Sequence, residues 1–354
     1  MTTAIAQTTL TVAEILNRVG ADGALAPVVD MLLQTNELWK FALAMNGWVR
    51  NNNNLSFKGS RTSTEPTPSE RDYDEGVAAS VSSRTPYEEP TCTVADWFQM
   101  DLTKLNDQRD PEQILNDELK AHFRGFSKTF GARVFYGDRD TYPKRIRGLT
   151  KRSAYHALSS GYVYDNAGGD ASATGNKTSV WIIKFGPGAF QFNYPQHDNR
   201  RMSNGVVADV AGLGLFIKDY GDTVPLTDAH SNQYPGVKSY MEQRFGQVVH
   251  HPGAIRRVPN ISTTGIDESD DFSLNEDYII DALVDLKKDM GDWDNVVIAV
   301  PSIVTGQIWK RIKEKSNVWM TVNDPFGRPI PAFGPGQHPI AVCDAIETTE
   351  ATVV

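Results

Sequence analysis

Cysteine is nearly missing from this chain of 354 residues: only Cys92 and Cys343 occur, and no CxxC pair is present. A disulfide framework and a thiolate zinc site are therefore excluded as sources of stability, and a reducing compartment is expected. Long apolar runs are also absent, since no window reaches the roughly 18 uninterrupted apolar residues that a membrane helix needs. The opening Met1-Thr-Thr-Ala-Ile-Ala-Gln7 places no basic residue ahead of an apolar stretch, so neither export nor membrane insertion is expected. Positive charge is in deficit: the net charge of -9 disfavours whole-surface binding to nucleic acid, which needs Lys and Arg in excess at the contact face. No Gly-x-Ser-x-Gly elbow, His-Glu-x-x-His helix, Gly-x-x-x-x-Gly-Lys-Ser/Thr loop or Gly-x-Gly-x-x-Gly turn occurs, which removes the commonest hydrolase, protease and nucleotide signatures.

What the chain does contain is an ordinary globular balance, 40% hydrophobic and 22% charged, which excludes general disorder. Its length exceeds what one core needs, so two or three lobes are expected. Glycine (28) and proline (19) promise many turns. Charge is unevenly placed: residues 133–152 hold seven Lys/Arg against two Asp, while 267–294 hold eleven Asp/Glu against two Lys. Opposed patches of this kind suit head-to-tail contacts between copies, and they equally describe two solvated surfaces.

Thr11-Val-Ala-Glu14 reads as a capping box that starts a short helix ending at Gly20. Apolar positions from Leu25 to Leu33 and from Leu38 to Met45 follow. From Asn51 through Pro90 the chain turns polar for about 40 residues, too poor in large apolar side chains to form its own core. Within it, the run Asn51 to Asn54 reads as a turn. Asp110-Pro-Glu-Gln113 is a strong helix start, with a cap and a proline at the first helical position. Leu115, Leu119, Phe123, Phe126 and Phe130 then place one apolar stripe along a helix of roughly 20 residues, about 30 Å long. Val134-Phe-Tyr-Gly137 and Ser179-Val-Trp-Ile-Ile-Lys-Phe185 read as strands. Between 196 and 260 the pattern predicts short strands broken by Gly, Asn, Asp and Pro, a β-rich platform for the helix. A helix over 274–290, a strand at Asn295–Val300, a helix at Ile303–Ile312 and a strand at Pro339–Cys343 describe a final compact lobe.

Candidate chemistry is sparse. Asp138, Asp140 and Asp165 could form an oxygen cage for Mg²⁺ or a carboxylate pair, but read more simply as loop groups near Arg139, Arg145 and Arg147. His250 and His251 are adjacent, and neighbours on a strand point to opposite faces, which makes them a poor shared metal pair. His197-Asp198 lacks a nucleophile in any recognisable context. Trp181, Trp293, Trp309 and Trp319 fit core or interface positions better than a sugar platform. Lys58 with Asn51 to Asn54 raises the further possibility of a Lys-Asn cross-link.

Several segments recur in a characteristic order: Ala132-Arg-Val-Phe-Tyr-Gly-Asp-Arg-Asp140, Gly148-Leu with Arg152, Asp165-Asn-Ala-Gly-Gly169, Ser179-Val-Trp181, Val258-Pro-Asn-Ile261, Gly327-Arg-Pro-Ile-Pro331 and Ile346-Glu-Thr-Thr349. Together they resemble the major capsid proteins of short-tailed double-stranded-DNA bacteriophages. The resemblance implies the tailed-phage (HK97-like) capsid fold, an α+β architecture with an N-terminal arm (1–45), an extended hairpin loop (46–95), a spine helix and peripheral β-rich domain (96–265) and an axial domain with the C-terminal return (266–354). In such a fold the hairpin lies over the neighbouring subunit, which gives the polar stretch at 51–90 a role. One departure is plain: the family's basic, proline-containing, aromatic-paired stretch early in the hairpin is reduced here to Arg61, Pro66 and Pro68 leading to Glu70-Arg-Asp-Tyr73.

The resemblance further implies a shell-building protein with no catalytic residue, cofactor or metal. Its expected partners are itself, as hexamers and pentamers, with portal and scaffolding proteins, a possible cement or decoration protein, and loose sequence-independent contact with packaged DNA, and no membrane. The expected location is the virion, with host cytoplasm during assembly. Candidate inter-subunit contacts are Lys58, Arg61, Arg71, Arg139, Arg145, Arg147 and Arg152. A virion connector or tail component is the alternative within the same setting. A metal-dependent enzyme acting through the Asp138, Asp140 and Asp165 neighbourhood is the alternative outside it.

Overall fold

The computed structural model describes residues 37–107, 111–167, 176–195, 215–220, 223–263, 272–314, 319–323, 329–333 and 336–354. The expected helix at 11–20, the apolar positions 25–33 and His197-Asp198 lie outside the described residues. Helix α1 (Glu37–Ala44) buries Leu38, Trp39, Phe41 and Ala42. Asn46, at φ 53°, reverses the chain into β1 (Trp48–Arg50). The hairpin strands β2 (Ser56–Thr64) and β3 (Ser83–Pro90) come next, then β4 (Cys92–Asp101) and the short α2 (Leu102–Asn106). The latter is capped by Asp101, whose carboxylate accepts from the Thr103 amide.

The long helix α3 (Pro111–Tyr136) starts with proline at its first position, as the sequence predicts, and runs for 26 residues. It continues through the segment expected to be a strand at Val134–Gly137. The reason is spacing: Phe126, Phe130 and Val134 fall four apart and are all buried, so packing on one helical face overrides the β-branched and aromatic preference of Val-Phe-Tyr. Phe130 is the centre of that packing. Its ring stacks on Trp39 at 4.4 Å and meets Phe245 at 4.6 Å and Phe192 at 5.2 Å, which ties α1, α3 and the first sheet together.

A one-turn helix, α4 (Ser153–His156), precedes the strands β5 (Lys177–Lys184), β6 (Phe190–Tyr194), β7 (Leu215–Asp219), β8 (Val224–Thr227), β9 (Gln233–Val249) and β10 (Ile255–Ser262). The first sheet runs β1-β6-β9-β4, with β7 and β8 also paired to β9. Its β1–β6 pair is parallel and its other pairs are antiparallel. The short broken strands expected in this region are, over 233–249, one strand of 17 residues. Gly236 and Gly246 do not break it because close approach requires them: a Cβ would stand 2.6 Å from the Met100 carbonyl oxygen at the first and 2.7 Å from that of Pro90 at the second.

Helix α5 (Glu276–Met290), β11 (Val296–Val300), α6 (Ser302–Glu314) and β14 (His338–Val342) fall close to the bounds expected for the last lobe, and two strands that the sequence reading did not anticipate, β12 (Trp319–Asn323) and β13 (Pro329–Phe333), stand between α6 and β14. The second sheet is ordered β10-β5-β11-β14-β13-β12. Its central strands face two cores at once. Trp181, Ile183, Val297 and Ala299 join the aromatic core under α3, while Val180, Ile182, Val296, Ile298 and Val300 pack with Leu283, Leu286, Val304 and Ile308 of α5 and α6. Burial on both faces explains why Val180–Ile183 of β5 and all of β11 read as unbroken apolar runs. Because β5 pairs with β10 on one side and with β11, which follows residue 266, on the other, this sheet draws on both sides of the expected division at 265/266.

Candidate assembly surface

The hairpin is built from a tight polar turn. Asn53 and Ser56 exchange backbone hydrogen bonds at 3.1 and 2.8 Å, Asn54 adopts φ 46°, and the Asn52 side chain accepts from the Lys58 amide at 2.8 Å while donating to its carbonyl at 2.6 Å. The four asparagines thus form the turn that the sequence suggests, with Asn51 itself buried and accepting from Asn193 at 2.7 Å. Strands β2 and β3 then pair from Ser56↔Pro90 to Thr64↔Ser83 and form a sheet of their own. Beyond them, residues 65–82 carry no strand and are exposed throughout, with Tyr73 96% exposed.

Arg61 fastens the hairpin to the body. Its guanidinium donates to the His250 carbonyl at 3.1 Å and to the Val249 carbonyl, and lies 4.4 Å over the Tyr87 ring. The Tyr87 hydroxyl meets His250 Nδ1 at 2.9 Å, and His250 Nε2 meets Gln191 Oε1 at 3.2 Å. This pattern suits a neutral imidazole with its proton on Nε2. Burial, helped by the Arg61 charge, holds the His250 pKa below the ordinary imidazole value. His251 turns elsewhere, accepting from the Gly253 amide at 3.0 Å, so the two histidines share no ligand.

Beside this anchor lies a cleft of about 320 Å³ lined by Arg61, Arg139, Arg147 and Arg152 together with Glu88 and Glu89. Arg152 grips Glu89 through two bonds at 2.5 and 3.1 Å and also donates to the Gln247 carbonyl at 3.2 Å. Arg147 pairs with Asp140 at 2.8 Å. Glu88 accepts from the Ser56 hydroxyl at 2.5 Å, which lowers its pKa, and has Lys58 at 3.6 Å. The structure therefore gathers four of the seven candidate contact residues around one cleft. It places Lys58 on the adjoining carboxylate, sets Arg145 at 4.0 Å over the exposed Tyr142 ring, and carries Arg71 out on the exposed tip.

The carboxylates considered for metal binding are each occupied locally. Asp138 accepts from the Thr141 amide and hydroxyl, both at 3.0 Å, with Lys151 at 3.5 Å, and the Thr141 amide is the main cause of its lowered pKa. Asp140 holds Arg147, and Asp165 accepts from Asn260 at 2.7 Å and from the Ala167 amide at 3.0 Å. Among the described residues no group of three or more His, Cys, Asp or Glu side chains is placed to hold a metal ion. Both cysteines are buried, and burial pushes each thiol up to about 12, which leaves no thiolate nucleophile. Trp181 is fully buried, and Trp293 donates to the Leu283 carbonyl at 2.9 Å.

Part of the acidic run is also engaged within the chain. Asp289 holds Arg256 at 2.7 Å, Asp292 holds Lys184, and Asp285 accepts from the Tyr164 hydroxyl at 2.6 Å.

A second polar centre escaped the sequence reading. Glu350 accepts from Arg257 at 3.0 Å, from Ser179 and from Tyr136, and its amide bonds the Lys177 carbonyl at 2.8 Å. Both ionic side chains are only 5% exposed. Asn260, at φ 64°, pairs its side-chain amide with the Val353 backbone at 2.8 and 2.9 Å. The chain end is thereby latched across β5, β10 and the end of α3. One sequence signal pointed here: Arg256-Arg257 sits inside the apolar strand Ala254–Val258, where an arginine requires a buried partner.

Residues 20–354 match the family model described as major capsid protein GP7. Comparison with curated protein sequences finds no match. Among solved structures, a chain of bacteriophage Epsilon15 aligns over 86% of this chain and 87% of its own length, with 21% identity and a TM-score of 0.58, so the two share a fold. The capsid of bacteriophage JBD30 aligns over 84% and 88%, at 9% identity and a TM-score of 0.43, too distant to bear on any residue. With the fold shared and the family match covering nearly the whole length, the chain belongs to the GP7 family of major capsid proteins, structural proteins of the bacteriophage virion that build its icosahedral shell.

Proposed function

We propose that this protein assembles through pentamers and hexamers into the head that encloses phage double-stranded DNA. Residues 1–45 serve as the arm, 46–95 as the extended hairpin, 96–265 as the spine helix with the peripheral domain, and 266–354 as the axial domain and C-terminal return, with β5 and β10 bridging the last two. The hairpin carries this reading. Two strands of eight and nine residues, about 30 Å of extended chain, leave the body and pair only with each other as strands among the described residues. Neither strand has a second strand neighbour among the described residues, and the tip buries nothing. Such an element gains its stabilisation from another chain, and repetition around a closed shell multiplies weak contacts into avidity.

The candidate contacts Lys58, Arg61, Arg71, Arg139, Arg145, Arg147 and Arg152 act here at two levels. Arg61 and Arg152 set the angle of the hairpin within one subunit, while Arg71, Arg139, Arg145 and Arg147 face outward, with Lys58, toward neighbours. Portal and scaffolding proteins, and a decoration protein where one exists, are further partners, assembly proceeds in the host cytoplasm, and packaged DNA is touched loosely because the net charge is -9. Electron microscopy of the chain expressed alone and then with a scaffolding partner tests the reading. Closed uniform shells, or pentamers with hexamers, are expected. Rings or tubes of a single symmetry under both conditions would transfer the protein to the connector or tail class.

A further inference from the structure

The hairpin tip and the arginine cleft are opposite in charge, and neither is used fully by its own subunit. Residues 65–82 carry Glu65, Glu70, Asp72, Asp74 and Glu75 against the single cation Arg71, and all of them are exposed. The cleft of about 320 Å³ is lined by four guanidinium groups and two carboxylates. Among the described residues, Arg152 pairs there with Glu89 and Arg147 with Asp140, and the Arg139 charge helps to lower the Glu88 pKa. Arg61 is bonded to neutral backbone carbonyls, so its charge is uncompensated by an ion pair. Within one subunit the tip bonds to itself, from the Asp72 amide to Glu75 at 3.1 Å and from the Tyr73 amide to Asp72 at 2.8 Å.

We propose that the acidic hairpin tip of one copy docks into the Arg61–Arg139–Arg147–Arg152 cleft of a second copy. The inference rests on the shell-building reading above and names the contact through which the hairpin acts. Arg147, which is exposed, and the half-buried Arg139 supply the steering charge, whereas Arg61 and Arg152 are held by bonds to the body and shape the floor. The carboxylates arrive as a cluster, with Asp74 at φ 64° and the Asp72–Glu75 bond closing the turn that presents them. A site of this kind gives a use to three of the seven cations within residues 133–152, Arg139, Arg147 and Arg152.

Two full-length variants test it, Asp74→Cys in one preparation and Arg139→Cys in the other, mixed before assembly and treated with a short bifunctional thiol cross-linker. The native cysteines are buried and stay silent. A cross-linked dimer formed in mixed shells, and absent from shells of either variant alone, is the expected result. Intact mixed shells without that dimer overturn the docking and leave shell building standing, including the case in which packaged nucleic acid fills the cleft. A chain carrying both substitutions that cross-links only to itself overturns it as well. Failure of the unmodified chain to form shells, alone and with scaffold, removes the shell-building reading and the docking with it. Charge reversal gives a second readout: Arg139→Glu with Arg147→Glu, and Asp72→Lys with Glu75→Lys, each lowers shell yield at least about tenfold, and their combination recovers it. Equal yields across all four proteins contradict the proposal.

Discussion

Strand β5 and the hairpin tip sit at opposite limits of one molecule. Every residue of β5 is buried, polar Lys177, Thr178 and Ser179 included, and the strand separates two apolar cores. Residues 65–82 bury none of their side chains. The body meets its own needs for burial, hydrogen bonding and charge pairing, down to an arginine and a glutamate enclosed together. The tip meets almost none of its own. A chain built this way divides its free energy between folding and association: the body makes a stable subunit, and the hairpin adds little until a neighbour arrives.

Substitutions that break the body should therefore be severe. Arg257→Ala leaves Glu350 buried without its cation, and Glu350→Ala does the converse; each is expected to cost about 3–5 kcal/mol, read as a lower denaturant midpoint. Replacing both partners with apolar residues of similar size should recover much of the loss, and if it costs as much as either single change, the account of a buried, mutually dependent pair is wrong. Phe130→Ala opens a cavity among Trp39, Phe192 and Phe245 and is expected to cost about 3–5 kcal/mol in the same assay.

At the junction the effects should be smaller and local. Arg61→Ala removes two charge-assisted bonds to backbone carbonyls, roughly 1.5–3 kcal/mol each where fully formed. The expected readout is faster proteolysis of the hairpin with the body's unfolding midpoint changed much less. Unchanged cleavage would show that the hairpin is held by something else.

His250 adds a pH term at the same place. Its folded pKa is depressed, so the folded state resists the proton that the unfolded chain accepts below the ordinary value of 6.5. Stability from this group is present above that value and is lost as the pH falls through the folded pKa. His338 is lowered by burial and acts with the same sign. His250→Asn should flatten the difference between melts at pH 8 and pH 5, and an unaltered difference would assign the acid sensitivity elsewhere.

The smallest effect on folding is expected at the tip. Replacing 66–81 with a two-residue turn should shift stability by less than about 0.5 kcal/mol. The same change should abolish shell formation.

The contrast between these regions also governs what the sequence revealed. Local signals were reliable where one residue type has one use: Pro111 as a helix start, the Asn51–Asn54 turn, and the buried runs of β5 and β11. The polar character of 51–90 announced a segment without a core. Tertiary demands were not visible. Nothing local says that Gly236 and Gly246 keep a long strand intact, that Val134-Phe-Tyr136 extends a helix, or that β1 pairs in parallel with β6 across more than 140 residues. The cleft was only half legible, because the cations of 133–152 stand out while Arg61 and the carboxylates at 88 and 89 join them through folding alone. Glu350, near the chain end, gave no sign of its partners in the sequence around it.

The most direct test of the central claim is amide hydrogen exchange across residues 56–90, compared between free subunits and assembled shells. The account predicts rapid exchange of 65–82 in free subunits and strong protection in shells, with β5 and β10 protected in both states. Equal exchange of the hairpin in the two states would contradict the claim that its stabilisation comes from a neighbouring copy.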